Sequence, residues 1–245
     1  MKARFLWRAL KARYRDESAE LAILKRTLKR DHTVCDIGAN KGSYLYWLSR
    51  WVPNGEVVAF EPQESLAVYL RKICGGLNMS NVEIEAKAVG ANSGTKTLYV
   101  PGAGDSPGAS LSDRVSSREK CREFSVPVVS LDEYFHSSVK IGALKIDVEG
   151  AEKTVFEGAA RILSSQSPIL IFECEERHLG AGSVWDVFEY LLGLGYSGFF
   201  VCRKTLCPLE DFELPIHQNQ TGERFWDDKD YCANFVFFKN NPGLI

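Results

Sequence analysis

Short β-prone apolar runs alternate with longer segments that repeat apolar residues every three or four positions. The first run, Val34 to Ile37, is followed by a helical pattern from Ser43 to Trp51, and the second, Glu56 to Phe60, by one from Ser65 to Leu77. Val82 to Val89 alternates as a third strand. Ile141 to Val148 and Pro168 to Cys174 predict a fourth and fifth, joined by a crossover helix from Ala151 to Leu163. The near-continuous apolarity of Pro168 to Cys174 is that of a strand covered on both faces. A helix over Asp186 to Leu194 precedes a terminal strand pair, Gly198 to Cys202 and Ala233 to Phe238. Strands alternating with helices in this way predict an α/β domain built on a parallel sheet.

Two stretches break the rhythm. Thr95 to Val100 and Phe124 to Ser130 are β-prone and flank Pro101 to Arg122, a segment rich in Gly, Pro, Ser and charge that reads as a mobile flap. Arg203 to Tyr231 is a second, polar and aromatic excursion. At the other end, residues 1–15 carry Lys2, Arg4, Arg8, Lys11, Arg13 and Arg15 and no acid, interleaved with Phe5, Leu6, Trp7, Leu10 and Tyr14. They predict an amphipathic basic helix, packed on the domain or touching a membrane surface or another anionic partner. Leu21, Ile23, Leu24 and Leu28 give a second helix within Glu17 to Arg30. The expected organisation is therefore residues 1–30 as N-terminal helices on a domain spanning 31–245, with excursions at 101–122 and 203–231.

At 245 residues with 45% hydrophobic content, the chain suits one large domain with a substantial core. A net charge of −2 offers no global attraction to nucleic acid. Seven scattered cysteines without a C-x-x-C favour free thiols in a reducing, cytoplasmic setting and give no zinc spacing. No apolar run reaches the length of a membrane span.

The chemistry concentrates after the first strand, in Asp36-Ile37-Gly38-Ala39-Asn40-Lys41-Gly42. A strand, a glycine-bearing turn and a helix start present backbone N–H groups to a ligand. A dinucleotide site wants G-x-G-x-x-G; here Asn40 replaces the second glycine and Asp36 stands close by, which suits an ammonium or hydroxyl better than a phosphate. Glu61, before Pro62 at the end of the second strand, follows Gly42 by 19 residues, near the offset at which an acid reads a ribose diol.

This turn resembles motif I of the class I S-adenosylmethionine-dependent methyltransferases, in the form found in the FkbM-type family. Phe60-Glu61-Pro62, Ala88-Val89-Gly90, Val129-Ser130-Leu131-Asp132-Glu133 and Lys145-Ile146-Asp147-Val148-Glu149-Gly150-Ala151-Glu152 follow in family order, over roughly residues 17–200. The resemblance implies a Rossmann-like, doubly wound, mostly parallel seven-stranded sheet with a β-rich insertion between strands three and four. It implies S-adenosylmethionine held by Asp36, Gly38, Ala39, Asn40, Gly42, Glu61, Pro62, Ala88, Val89 and Asp147, with Ala88-Val89 lining the adenine and Ser110-Leu111 approaching the substrate side.

Methyl transfer to a sugar-type hydroxyl needs a base or a metal, because the hydroxyl is a weak nucleophile at neutral pH. Lys145, Asp147 and Glu149 share one face of the fourth strand by alternation, and Glu173 and Glu175 end its neighbour, with His178 shortly after. The candidates at the acceptor are Asp147, Glu173, Lys145 and His178. A helix start or a buried ion pair would also account for several of these charges. No Pro-Pro-aromatic stretch follows the fourth strand, which disfavours methylation of a base amine, while a divalent ion stays open. Two readings follow: an O-methyltransferase acting on a sugar, glycan or secondary metabolite, or a catalytically idle cofactor-binding module that recruits a partner through its basic N-terminus. A nicotinamide dehydrogenase comes third, against Asn40.

Overall fold

The computed structural model describes residues 1–112, 120–180 and 182–239. In chain order the strands are β1 (Thr33–Ile37), β2 (Glu56–Phe60), β3 (Val82–Glu85), β4 (Ala88–Val89), β5 (Gly94–Pro101), β6 (Cys121–Val129), β7 (Ile141–Ile146), β8 (Ile169–Glu173), β9 (Ser197–Cys202), β10 (Thr205–Pro208) and β11 (Asn234–Phe238). The helices are α1 (Lys2–Lys11), α2 (Ser18–Thr27), α3 (Leu45–Trp51), α4 (Glu64–Gly76), α5 (Leu131–Tyr134), α6 (Glu152–Glu157), α7 (Ala160–Ser165), α8 (Val184–Gly193) and α9 (Leu214–His217).

The main sheet runs β10-β9-β11-β8-β7-β1-β2-β3. From β8 to β3 neighbouring strands are parallel, and β11, β9 and β10 pair antiparallel. The chain moves outward from β1 through β2 to β3, then returns to β7 on the other side of β1. That reversal opens a crevice at the carboxyl ends of β1 and β7, where open α/β sheets take ligands.

Alternation along the strands divides the core. Cys35, Ile37, Val58, Phe60, Leu144, Ile146, Leu170 and Phe172 face α6, α7 and α8 in one buried cluster. Val34, Val57, Ala59, Ala143, Ile169 and Ile171 face α1 to α4 in the other. Both faces are covered, as a doubly wound sheet requires.

The sheet carries an eighth strand beyond the seven expected. Arg203 and Lys204 adopt left-handed φ angles of 46° and 68° and reverse the chain, so the start of the late excursion pairs back on β9 as β10. The expected third strand is divided: β3 ends at Glu85, and Ala88-Val89 leaves for a separate sheet of order β4-β6-β5. The β5–β6 hairpin is the β-rich insertion. Of the expected flap 101–122, residues 113–119 lie outside the described residues. The expected crossover helix is broken at Gly158-Ala159 into α6 and α7, because the Gly90 carbonyl lies where a side chain at 158 would begin.

Candidate active site

The site is built around one backbone crossing. Asp147 N donates to Ile37 O at 2.9 Å, carrying the end of β7 across the first turn. Gly38 sits under that crossing at φ 78°, and a Cβ there would lie 1.8 Å from the Asp147 carbonyl oxygen, so only glycine fits. Gly38 N and Ala39 N both donate to Phe60 O, which ties the turn to the end of β2. Asn40 takes the left-handed φ of 47° that asparagine tolerates. Gly42, at φ 74°, leaves the room that Phe5 of α1 and Leu70 of α4 occupy.

Two clefts meet at Gly38, Asn40 and Asp147. The first, about 550 Å³, is lined by Glu61, Pro62, Ala88, Val89, Ser110 and Leu111 among others. Glu61 is 2% exposed; its carboxylate accepts from Asn40 N at 2.7 Å and from Gln63 N at 2.9 Å. Burial pushes that carboxyl up, while the backbone donors of Gln63 and Asn40 pull it down. The Gln63 side chain holds the insertion over the cleft: Nε2 donates to Ser106 O at 3.0 Å, and Oε1 accepts from Ser106 N at 2.9 Å. Ser65 adds a hydrogen bond to Asp105, and Ser110 Oγ donates to Glu149 O at 2.6 Å.

The second cleft, about 710 Å³, is lined by Arg8, Glu17, Asp36, Tyr44, Lys145, Asp147, Glu173 and Asn234 among others. Lys145 Nζ stands 3.5 Å from Asp36 Oδ1 and 3.4 Å from Asp147 Oδ2. Burial works against the charged ammonium, but Asp147, Asp36, Glu17 and Glu173 together hold Lys145 above its ordinary value. Asp36 is 1% exposed, and neither of its oxygens meets a hydrogen-bond partner among the described residues, the lysine being too distant. Burial pushes the Asp36 carboxyl up and Lys145 opposes it. Glu173 is pushed well above the usual range by burial and then by Asp147, Glu149 and Glu175.

Lys145, Asp147 and Glu173 are thus brought together as their strand positions predicted. Glu149 is not part of that face: β7 ends at Ile146, and left-handed φ angles of 54° at Glu149 and 95° at Gly150 turn the chain away. Glu149 Oε2 lies 2.6 Å from His178 Nδ1, so His178 pairs with Glu149 and lines neither cleft. Glu175 is likewise engaged, by both Arg177 nitrogens at 2.7 Å and by the Tyr231 hydroxyl at 2.5 Å. The Arg177 guanidinium lies over Phe225 and Trp226, which docks the late excursion beside β8.

Sequence reasoning missed Glu17, Tyr44, Arg8 and Asn234. The Tyr44 hydroxyl donates to Glu17 Oε2 at 3.1 Å, and burial raises the Glu17 carboxyl. Glu20, on the same helical segment, is pushed up to about 8 by burial and by Glu17. An acid opening α2 just behind a basic helix was the available signal. Among the described residues no group of three or more His, Cys, Asp or Glu side chains could hold a metal ion.

Known proteins bear on this geometry in three ways. No curated protein matches the chain. Its structure resembles the FkbM methyltransferase of Methylobacillus flagellatus at 16% identity and a TM-score of 0.54, covering 86% of this chain and 44% of that one. The chain therefore spans less than half the length of that protein. It also resembles a precorrin-6y C5,15-methyltransferase from Geobacter metallireducens (14% identity, TM-score 0.51, covering 92% and 90% of the two chains). A third likeness is to an O-methyltransferase from Bacillus cereus in complex with SAH, at 13% identity and a TM-score of 0.53, covering 97% and 89%. At such identities these likenesses establish the fold alone. The sequence profile of the methyltransferase FkbM domain, however, matches residues 36–197, two thirds of the chain and both halves of the crevice, and this protein belongs to that family.

Proposed function

We propose that the chain is an S-adenosylmethionine-dependent O-methyltransferase whose acceptor is a hydroxyl of a sugar, glycan or secondary metabolite. The observation that carries the reading is Asp36, a buried carboxylate with no hydrogen-bond donor on either oxygen among the described residues, which lines the second cleft beside the Gly38, Asn40 and Asp147 that both clefts share. A buried acid that has an ion pair with Lys145 but no hydrogen bond to either oxygen keeps room for a further donor, and an amino-acid ammonium is a group that would supply it. Glu61 keeps acceptor capacity for a ribose diol, and Pro62, Ala88, Val89 and Leu111 offer an apolar lining to a flat ring. The residues present therefore fit the cofactor. Once bound, it would supply an electrophilic methyl group on a sulfonium.

The other cleft suits the acceptor. Glu173, a carboxyl on the wall of that cleft that burial and the acids Asp147, Glu149 and Glu175 push well above the usual carboxylate range, is the group placed to take a proton from a hydroxyl when ionised. Lys145 stays charged and holds Asp36 and Asp147 in place, and Asp147 stands where the two clefts join. The B. cereus relative, an O-methyltransferase solved with SAH, supports the same class of reaction.

Calorimetric titration with S-adenosylhomocysteine tests this directly. Wild-type protein binds, and Asp36→Asn binds at least about tenfold more weakly, since a charge-assisted contact is worth ~1.5–3 kcal/mol. No heat at millimolar ligand, or equal affinity in the variant, overturns the assignment.

A further inference from the structure

The N-terminal helix has a face that the catalytic reading leaves unused. Phe5, Ala9 and Ala12 are its buried side, and Trp47 Nε1 donates to Ala9 O at 2.7 Å while Arg8 donates to the Tyr69 hydroxyl at 3.0 Å. These contacts fix the helix in rotation. The opposite side therefore faces outward: Ala3, Trp7 and Leu10 form one stripe, Trp7 being 59% and Leu10 47% exposed, and Tyr14, in the wider turn Ala12–Asp16 that continues the helix, is 69% exposed although its ring meets Trp47 edge-on. Lys2 and Arg13 flank the stripe on one side and Arg4, Lys11 and Arg15 on the other; residues 1–15 contain no acid, and Asp16 pairs with Lys11 at 2.9 Å and with Arg15 at 2.8 Å, which leaves Lys2, Arg4 and Arg13 to carry the charge. All this positive charge is local, because the chain as a whole carries −2.

We infer that this face docks on an anionic lipid surface, with Trp7, Leu10 and Tyr14 entering the boundary between headgroups and acyl chains. Aromatic residues on an apolar stripe between two basic rows match that boundary in both polarity and charge. A nucleic-acid backbone would meet the arginines but offers nothing to the stripe. No helix among the described residues is long and apolar enough to cross a membrane, so the contact is peripheral. Arg8, on the same helix but turned toward the domain, lines the acceptor-side cleft, so the docked face and that cleft lie on different sides of the helix.

The test is flotation of the full chain with phosphatidylcholine vesicles, with and without about 30% phosphatidylserine. The protein floats only with the anionic vesicles and is released by salt. Trp7→Ser with Leu10→Ser, and separately Lys2→Glu with Arg4→Glu, each weaken binding at least about tenfold while far-UV circular dichroism and S-adenosylhomocysteine binding stay unchanged. Equal flotation of variants and wild type overturns the inference, as does no flotation with anionic vesicles. So does a stable dimer that Trp7→Ser splits, which would assign the face to a second copy.

Discussion

The two clefts that share Gly38, Asn40 and Asp147 differ in how their acids are treated. Glu61, in the first, is met by two backbone donors and the Gln63 side chain. Asp36, in the second, has no hydrogen-bond partner among the described residues, and Glu17 and Glu173 are both pushed up by burial. The acid of the first cleft is satisfied by the fold; Asp36 of the second, among the described residues, is not. In the second cleft Asp36, Glu17 and Glu173 stand with Asp147 around the Lys145 ammonium, a concentration of buried acids that costs stability.

Removing the buried ammonium of Lys145 is the hardest blow to that balance. Lys145→Met leaves Asp36 and Asp147 without their shared counter-charge and lowers stability by ~3–5 kcal/mol, and adding Asp36→Asn recovers part of it. Urea unfolding measures both, and a midpoint unchanged from wild type would mean the lysine is incidental.

Next comes the crossing between the clefts. Gly38→Ala puts a Cβ 1.8 Å from the Asp147 carbonyl at a φ that only glycine takes easily, and costs at least ~2 kcal/mol. Full stability in this variant would show that β7 can shift without penalty.

In the first cleft, Glu61→Gln turns one acceptor into a donor facing backbone N–H groups. Affinity for S-adenosylhomocysteine drops by roughly ten- to a hundredfold. Calorimetry within threefold of wild type would remove Glu61 from the ligand's contacts.

The smallest effect is a pH dependence. Glu20 has its folded value raised from 4.5 to about 8, so the folded state holds its proton more tightly than the unfolded state. Its contribution is complete below about 4.5 and is lost as pH rises through about 8. Glu20→Gln is therefore near neutral at low pH and more stable than wild type, by at least ~1 kcal/mol, above pH 8. Parallel stability curves for the two proteins across that window contradict it.

Much of the crevice where the two clefts meet could be read along the chain. Asp36 to Gly42 and Glu61-Pro62 are local signals, since a strand end, a glycine turn and an acid before proline each act within a few residues. The division of Val82 to Val89 between two sheets could not be read, because Ala86 and Lys87 carry no turn chemistry. The pairing of Thr205 to Pro208 as an edge strand was hidden in a polar stretch, although Arg203-Lys204 supplies its reversal. Glu149 was expected on the face of Lys145 and Asp147 because strand alternation was carried past Ile146, where the backbone turns left-handed.

By itself the sequence determined the order of strands and helices, the glycine turn and the family, because periodicity and turn chemistry are properties of neighbouring residues. Only the tertiary structure decided which acids stand together. Glu17, Asp36, Lys145, Glu173 and Asn234 come from five separate segments, and their burial and mutual fields exist only once the sheet has brought those segments to one edge.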